Sequence, residues 1–348
     1  MRILIIGGTA FVGRHIAQAA IGSGHDVTLF HRGRTGADLF TQATHLTGDR
    51  DGDLSVLRSG DWAATIDVCA YLPRQVRALA NALNGRGGHQ LFISTASVYR
   101  TPVAPGFDES APLAELADPA VEEITARTYG GLKVLCEHAA AELYGAGTTI
   151  IRPTYVIGPY DRSYRFTWWV ERLARGGEVL APGDPHDPIQ IIDARDMAAW
   201  VIDLLENTVA GTFHAVSPPP PFGFGDMLEA IAAQVAPAGT MLTWVAKDYL
   251  LAEGEDDASL PMWPGGDSES AINAASPAAA LAAGLRPRPL SQSVAELHQH
   301  ELRFPTAVPD GTGLSPQRET DLLAGWARHL ADPARQTARG TARRGSQT

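Results

Sequence analysis

Lysine is nearly missing from this chain. Of 28 basic residues among 348, only Lys133 and Lys247 are lysines, and the other 26 are arginines. The bias itself is ordinary genomic composition, yet it marks any surviving lysine as a candidate for chemistry that needs an ammonium rather than a guanidinium. Cysteine is equally scarce. Cys69 and Cys136 cannot build a disulfide framework and have no CxxC spacing, so a reducing, cytoplasmic setting is expected. The eleven histidines include no HExxH pair and no Cys/His cluster, so no metal is expected. Neither a GxSxG elbow nor a GxxxxGK[ST] phosphate loop occurs. The opening MRILIIGGTAFVG breaks at glycines after a short apolar run, which predicts neither a signal peptide nor a membrane span. Positive charge is in deficit overall, with a net charge of −11, which disfavours a polyanion-binding surface and predicts no nucleic-acid partner.

What is present alternates. Short β-branched runs at Arg2–Ile6, Asp26–Phe30, Ala64–Cys69, Gln90–Ser94 and Thr148–Arg152 predict strands buried on both faces. Helical patterns near Val12–Ile21, Arg74–Leu83 and Tyr129–Tyr144 lie between them, so the first half predicts a parallel sheet with crossover helices. After Pro153 the chain becomes richer in Gly, Pro and aromatic loops, with helices near Asp193–Leu205 and Phe224–Val235. This predicts a division into 1–157 and a smaller substrate-binding region at 158–331, with a segment near 187–215 able to return to the first. The arginine-rich 332–348 predicts a disordered tail after a helix near Gln317–Leu330.

The first strand runs directly into Gly7-Gly8-Thr9-Ala10-Phe11-Val12-Gly13 and then a helix. Phosphates approach backbone N–H groups at a helix N-terminus only where side chains leave room, so this segment is a candidate dinucleotide loop. Ala10 stands where a stricter fingerprint has a third glycine. An acid at the end of the second strand would hold the ribose 2′-OH of NAD, but the sequence there reads His31-Arg32-Gly33-Arg34. Two arginines without a carboxylate favour a 2′-phosphate, hence NADP, with NAD the alternative. The general arginine bias makes this pair less telling than it would otherwise be.

Tyr129 and Lys133 stand at i and i+4 and share a helix face. With eight tyrosines and two lysines in 348 residues, about 0.05 such pairs are expected by chance. A phenol is a poor acid or base near pH 7, and a nearby ammonium stabilises its phenolate. Upstream, a strand ends in Thr95-Ala96-Ser97, where a hydroxyl is placed to orient a substrate oxygen.

In this order GGTAFVG at 7–13, Asp49-Arg50, FISTASVY at 92–99, Tyr129 with Lys133, and the segment Arg152–Pro159 resemble the extended short-chain dehydrogenase/reductase superfamily, its NAD(P)-dependent epimerase/dehydratase family. The resemblance covers roughly the first 215 residues. It implies an α/β, Rossmann-like, doubly wound parallel sheet with a smaller C-terminal substrate domain. By resemblance Thr95 would hydrogen-bond the substrate oxygen, Tyr129 would be the general acid/base and Lys133 would bind the nicotinamide ribose. Asp49 and Arg50 would lie near the adenine, Cys69, Ala70 and Tyr71 along the ribose region, and Pro153, Tyr155 and Val156 beside the nicotinamide. Relatives also dimerise through the helix carrying the Tyr/Lys pair, so a homodimer is implied.

The sugar-nucleotide 4,6-dehydratases of this superfamily carry an Asp-Glu pair after the catalytic Thr, and Ala96-Ser97 replaces it here. A 4,6-dehydratase is therefore not expected. The leading expectation is an NADPH-dependent reductase acting on a carbonyl of a sugar nucleotide or small metabolite. The alternatives are an NAD-dependent sugar-nucleotide epimerase and, in another class, a non-catalytic or RNA-binding relative, which the glycine turn also resembles. For the substrate, Arg162 and Arg165 are candidate anion clamps, with Trp168 and Ser97 beside them. Core packing is the competing reading of Trp168. The acid-rich stretch between Thr101 and Ala126 reads as a solvated flap.

Overall fold

The computed structural model describes residues 1–263 and 271–332; beyond Asp332, the expected tail lies outside them. In chain order the strands are β1 (Arg2–Ile6), β2 (Asp26–His31), β3 (Thr44–Thr47), β4 (Ala64–Asp67), β5 (His89–Ile93), β6 (Thr149–Pro153), β7 (Tyr155–Ile157), β8 (Glu178–Pro182), β9 (Ile191–Asp193), β10 (Gly211–Ala215) and β11 (Met241–Val245). The helices used below are α1 (Phe11–Gly22), α2 (Pro73–Leu83), α3 (Tyr129–Tyr144), α4 (Arg165–Ala174), α5 (Ala194–Glu206) and α6 (Phe224–Val235). Seven strands form one sheet in the order β10-β6-β5-β4-β1-β2-β3, each pair parallel. The order reverses between β1 and β4, and in open α/β sheets ligands bind at the carboxyl ends beside that reversal.

The unbroken apolar runs have a direct cause. Ile3 and Ile5 of β1 pack in one cluster with Ile16, Ala17 and Ala20 of α1 and Trp200, Val201 and Leu204 of α5. Leu4 and Ile6 pack oppositely, with Leu79, Ala82 and Leu83 of α2, and Phe92 meets Cys136, Ala139 and Ala140 of α3. Both faces are therefore covered, and each of these Ile, Leu, Val or Phe side chains contributes roughly 1.5–3 kcal/mol by burial. This is the doubly wound arrangement. β3 was not anticipated, because its Thr-His-Leu-Thr is short, polar and only half buried at the sheet edge. β4 stops before Cys69 because the Asp67 carboxylate accepts the Cys69 N–H at 3.1 Å and turns the chain.

The chain separates into two compact units. The first holds Met1–Arg162, Pro188–Phe222 and the described residues of 266–293. This unit is discontinuous in sequence because pairing returns the chain: β9 lies parallel to β7 and β10 to β6, while the Trp200 indole donates to the Ala283 carbonyl at 2.9 Å. The second unit holds Ser163–Asp187 and the described residues of 223–265 and 294–348. Its β8 and β11 pair in parallel. Its core includes Trp169 of α4, edge-on to Phe224 of α6, and a buried Arg172–Glu319 ion pair of 2.6 Å whose second oxygen accepts the Leu180 N–H. Among the described residues no helix is long and apolar enough to cross a membrane, and no group of potential ligands could hold a metal.

Candidate active site

The glycine turn sits where β1 ends, its Gly7 N–H bound to the Phe30 carbonyl at 3.0 Å. A Cβ on Gly13 would lie 2.0 Å from the Gly7 carbonyl oxygen, so only glycine lets α1 start against the turn. Ala10 caps α1 without a side-chain hydrogen bond and no acid lies in the first turn, which leaves the helix's leading N–H groups without side-chain partners. Beside the turn lies a cavity of about 290 Å³. Gly7, Thr9, Ala10, His31, Arg32, Arg34, Asp49, Arg50, Cys69 and Tyr71 all line it, so the structure brings most of the sequence-predicted cofactor residues together. Phe11, Val12 and Gly13 follow in α1, outside the lining.

The charges around this cavity are not equivalent. Arg50 forms a bidentate pair with buried Asp67, at 2.8 and 2.9 Å. Burial pushes the Asp67 carboxyl up, but the guanidinium outweighs this and holds it below its ordinary range. Arg32 and Arg34 are exposed and make no hydrogen bond or ion pair among the described residues. Asp49 is exposed and accepts the Asp51 N–H. Asp51 and Gln75 also line the cavity, and sequence reasoning missed both. The Gln75 amide N–H groups donate to Asp51 at 2.9 and 3.1 Å, while its oxygen accepts the Tyr71 and Leu72 N–H groups at the start of α2.

At the carboxyl end of β5, Thr95 is 8% exposed. Its hydroxyl accepts the Ser97 N–H at 3.1 Å and donates to the exposed Ser97 hydroxyl at 3.2 Å. Tyr129 opens α3, and a Cβ on the next residue, Gly130, would lie 2.1 Å from the Ser97 carbonyl oxygen. The glycine after the tyrosine therefore lets α3 begin hard against the Thr95–Ser97 loop. Lys133 is 2% exposed. Its Nζ donates to the carbonyls of Ile93 at 2.8 Å and Ala70 at 2.9 Å and lies 4.1 Å from the Phe92 ring centre. Burial pulls the ammonium down to about 8, against the raising effect of neighbouring acidic groups. Tyr71 joins the group, its ring centre 5.7 Å from Nζ and 6.2 Å from the Tyr129 ring.

One helical turn beyond Lys133, Glu137 starts a buried network that sequence reasoning missed. It pairs with Arg152 at 2.6 and 3.0 Å and accepts the Ser94 hydroxyl. Arg152 donates to the Tyr99 hydroxyl at 2.6 Å and to the Glu109 carbonyl at 3.0 Å. Tyr99 in turn meets His214 Nε2, whose Nδ1 donates to the Ser276 carbonyl at 2.9 Å. Burial pushes Tyr99 up to about 12 and His214 down. The i, i+4, i+8 spacing of Tyr129, Lys133 and Glu137 was the available signal. Part of the acid-rich stretch is correspondingly not a solvated flap: Phe107 is buried against Tyr99 and His214, Glu109 accepts the His214 N–H, and Tyr99 bridges to Leu113.

The remaining candidates are scattered. Pro153 ends β6, while Tyr155 and Val156 lie in half-buried β7. Ala70 serves through its carbonyl. Arg162, in the first unit, and Arg165, in the second, are both exposed. Trp168 is corrected as a substrate residue: it is 6% exposed and edge-on to Trp169, with ring centres 4.6 Å apart. Its spacing on α4 is that of a core helix.

A doubly wound sheet with a glycine turn at its reversal and a Tyr/Lys face on the helix beside β5 is the architecture of the extended short-chain dehydrogenase class. The NAD dependent epimerase/dehydratase family matches residues 3–216, and the chain belongs to it. A chloroplast stem-loop binding protein of 41 kDa from Arabidopsis thaliana is 27% identical over 226 residues, 60% of this chain and 56% of that protein. The chain thus spans about half the length of that relative. Two solved structures share the fold. UDP-glucuronic acid 4-epimerase from Bacillus cereus, in complex with NAD, has a TM-score of 0.60 and 16% identity, covering 87% of this chain and 99% of that one. The human epimerase family protein SDR39U1, with NADPH, has a TM-score of 0.62 and 19% identity, covering 86% and 99%.

Proposed function

We propose that this chain is an NADP(H)-dependent oxidoreductase that reduces a carbonyl on a sugar nucleotide or small metabolite, with Tyr129 as general acid/base. The observation that carries this reading is Lys133, a buried ammonium held by two backbone carbonyls on the helix face it shares with Tyr129. Holding a charge there without a carboxylate partner is costly, and stabilising a phenolate gives that charge a use. The glycine turn fits a cofactor pyrophosphate, since Gly13 lets α1 start against the turn and no side chain caps the helix's leading N–H groups. When bound, the cofactor supplies the hydride.

The protein's own residues supply the rest. Tyr129 gives its proton to the developing alkoxide, and the Lys133 ammonium stabilises the phenolate left behind. Two of the three Lys133 donors are taken by carbonyls, which leaves one for the cofactor ribose or the phenolate. Thr95 has a single hydroxyl proton, now directed at Ser97, so orienting a substrate oxygen means turning it from Ser97 to the substrate.

NADP(H) is favoured by exposed, unpartnered Arg32 and Arg34 and by the lack of a carboxylate at the end of β2. The fold itself accommodates either cofactor, as the NAD and NADPH complexes of its structural neighbours attest. The test is oxidation of NADPH by the purified full chain across a panel of ketone- and aldehyde-bearing sugar nucleotides and small metabolites. Carbonyl-dependent oxidation is expected. Protein purified with NAD(H) tightly bound and inverting a sugar carbon would instead make it an epimerase. The name of the Arabidopsis relative favours a second reading, stem-loop binding. Net charge −11 opposes it, and salt-dependent RNA affinity without cofactor binding would establish it. A soluble, cytoplasmic enzyme, homodimeric as the resemblance implies, completes the proposal.

A further inference from the structure

We propose that His31 and His45 are positioning residues for cofactor discrimination: a one-way, neutral hydrogen-bond chain that sets the Arg32-Gly33-Arg34 turn to receive a 2′-phosphate. The inference rests on the NADP(H) reading above. Its direction follows from the groups at its ends. The Gly33 N–H can only donate, and it points at His31 Nδ1 at 3.0 Å. His31 Nδ1 is therefore unprotonated and the proton sits on Nε2, which donates to His45 Nδ1 at 2.8 Å. His45 then carries its own proton on Nε2 and donates it to the Phe40 carbonyl at 3.2 Å. Every ring nitrogen is occupied, and both tautomers are fixed by main-chain groups.

Three consequences follow. His31 has no nitrogen left for a ligand, so it shapes the cavity it lines without contributing charge. Both ends of the segment 33–40 are tied to the ends of β2 and β3, which fixes where Arg32 and Arg34 leave the sheet. A proton added to either ring would set two donors face to face, at Gly33 N–H or between the rings. Burial lowers the His31 pKa, followed by the effect of His45, which keeps the ring neutral as the chain requires.

The experiment pairs binding with spectroscopy on the full chain. Dissociation constants for NADPH and NADH are measured for the natural protein, His45→Leu and His45→Asn; the Asn oxygen stands in for the accepting Nδ1. His45→Leu is expected to weaken NADPH binding about tenfold while NADH changes less than about twofold, and His45→Asn to recover most of the loss. Nitrogen-15 histidine spectra near neutral pH should show both rings as neutral Nε2–H tautomers, assigned by comparison with the variants. An unchanged NADPH-to-NADH ratio in His45→Leu, or a proton on His31 Nδ1, overturns the proposal. Natural protein that prefers NADH would overturn the cofactor reading and the discriminating role with it, while the tautomer pattern decides separately whether the chain of bonds exists.

Discussion

Two regions at the carboxyl edge of one sheet treat arginine in opposite ways. Around α3 and β6, Arg152 is 4% exposed and locked to Glu137, and around β4, Arg50 is locked to Asp67. At the end of β2, Arg32 and Arg34 are exposed and paired with nothing among the described residues. Composition cannot explain the contrast, since nearly every positive charge in the chain is arginine. The buried pairs fix geometry, because a buried charge persists only with its partner. The open pair leaves its donors available to an anion. Lys133 belongs to a third kind, buried but held only by carbonyls, and the proposed function gives that charge its use.

The largest effect should come from the buried side. Tyr129→Phe removes the proton donor while leaving the Lys133 carbonyl bonds in place, and should lower turnover by about 10²–10⁴-fold with NADPH affinity little changed; comparison of single-turnover rates with binding titrations checks this. Glu137→Ala strands Arg152 without its carboxylate and should cost about 3–5 kcal/mol of stability, read from urea midpoints. Glu137→Gln, which keeps one oxygen to accept a guanidinium N–H, should cost less. On the open side, Arg32→Ala combined with Arg34→Ala should weaken NADPH by about 10–100-fold and leave the melting temperature unchanged, since nothing in the fold depends on them. If that double variant instead melted lower, the two regions would not differ as described.

The smallest effect is a pH limb. With Lys133 near 8, the ammonium is charged below that pH and neutral above it. Phenolate stabilisation is therefore present on the acid side and lost as pH rises through about 8, where turnover should fall toward about tenfold per pH unit. A turnover rate flat across that range would mean the Lys133 charge is not used.

Five of the sheet's seven strands, β1, β2, β4, β5 and β6, were legible because each carries a short run of buried apolar residues, a pattern that needs no partner to be recognised. β3 was not, since an edge strand reading Thr-His-Leu-Thr has no such run. The Tyr129/Lys133 pair was legible from spacing alone. Glu137–Arg152 and His31–His45 were not, because each joins residues from separate elements and only the folded register brings them together. Trp168 illustrates the converse, since an aromatic beside a binding strand reads the same whether it faces ligand or core.

In the proposed function, the open arginine edge selects NADP(H) for the Tyr129/Lys133 site. The most direct test is titration of the full chain with NADPH and with NADH, followed by cofactor fluorescence. NADPH binding at least about tenfold tighter is predicted, the amount expected from one or two charge-assisted bonds to the 2′-phosphate. Equal affinities, tighter NADH, or no binding of either would contradict it.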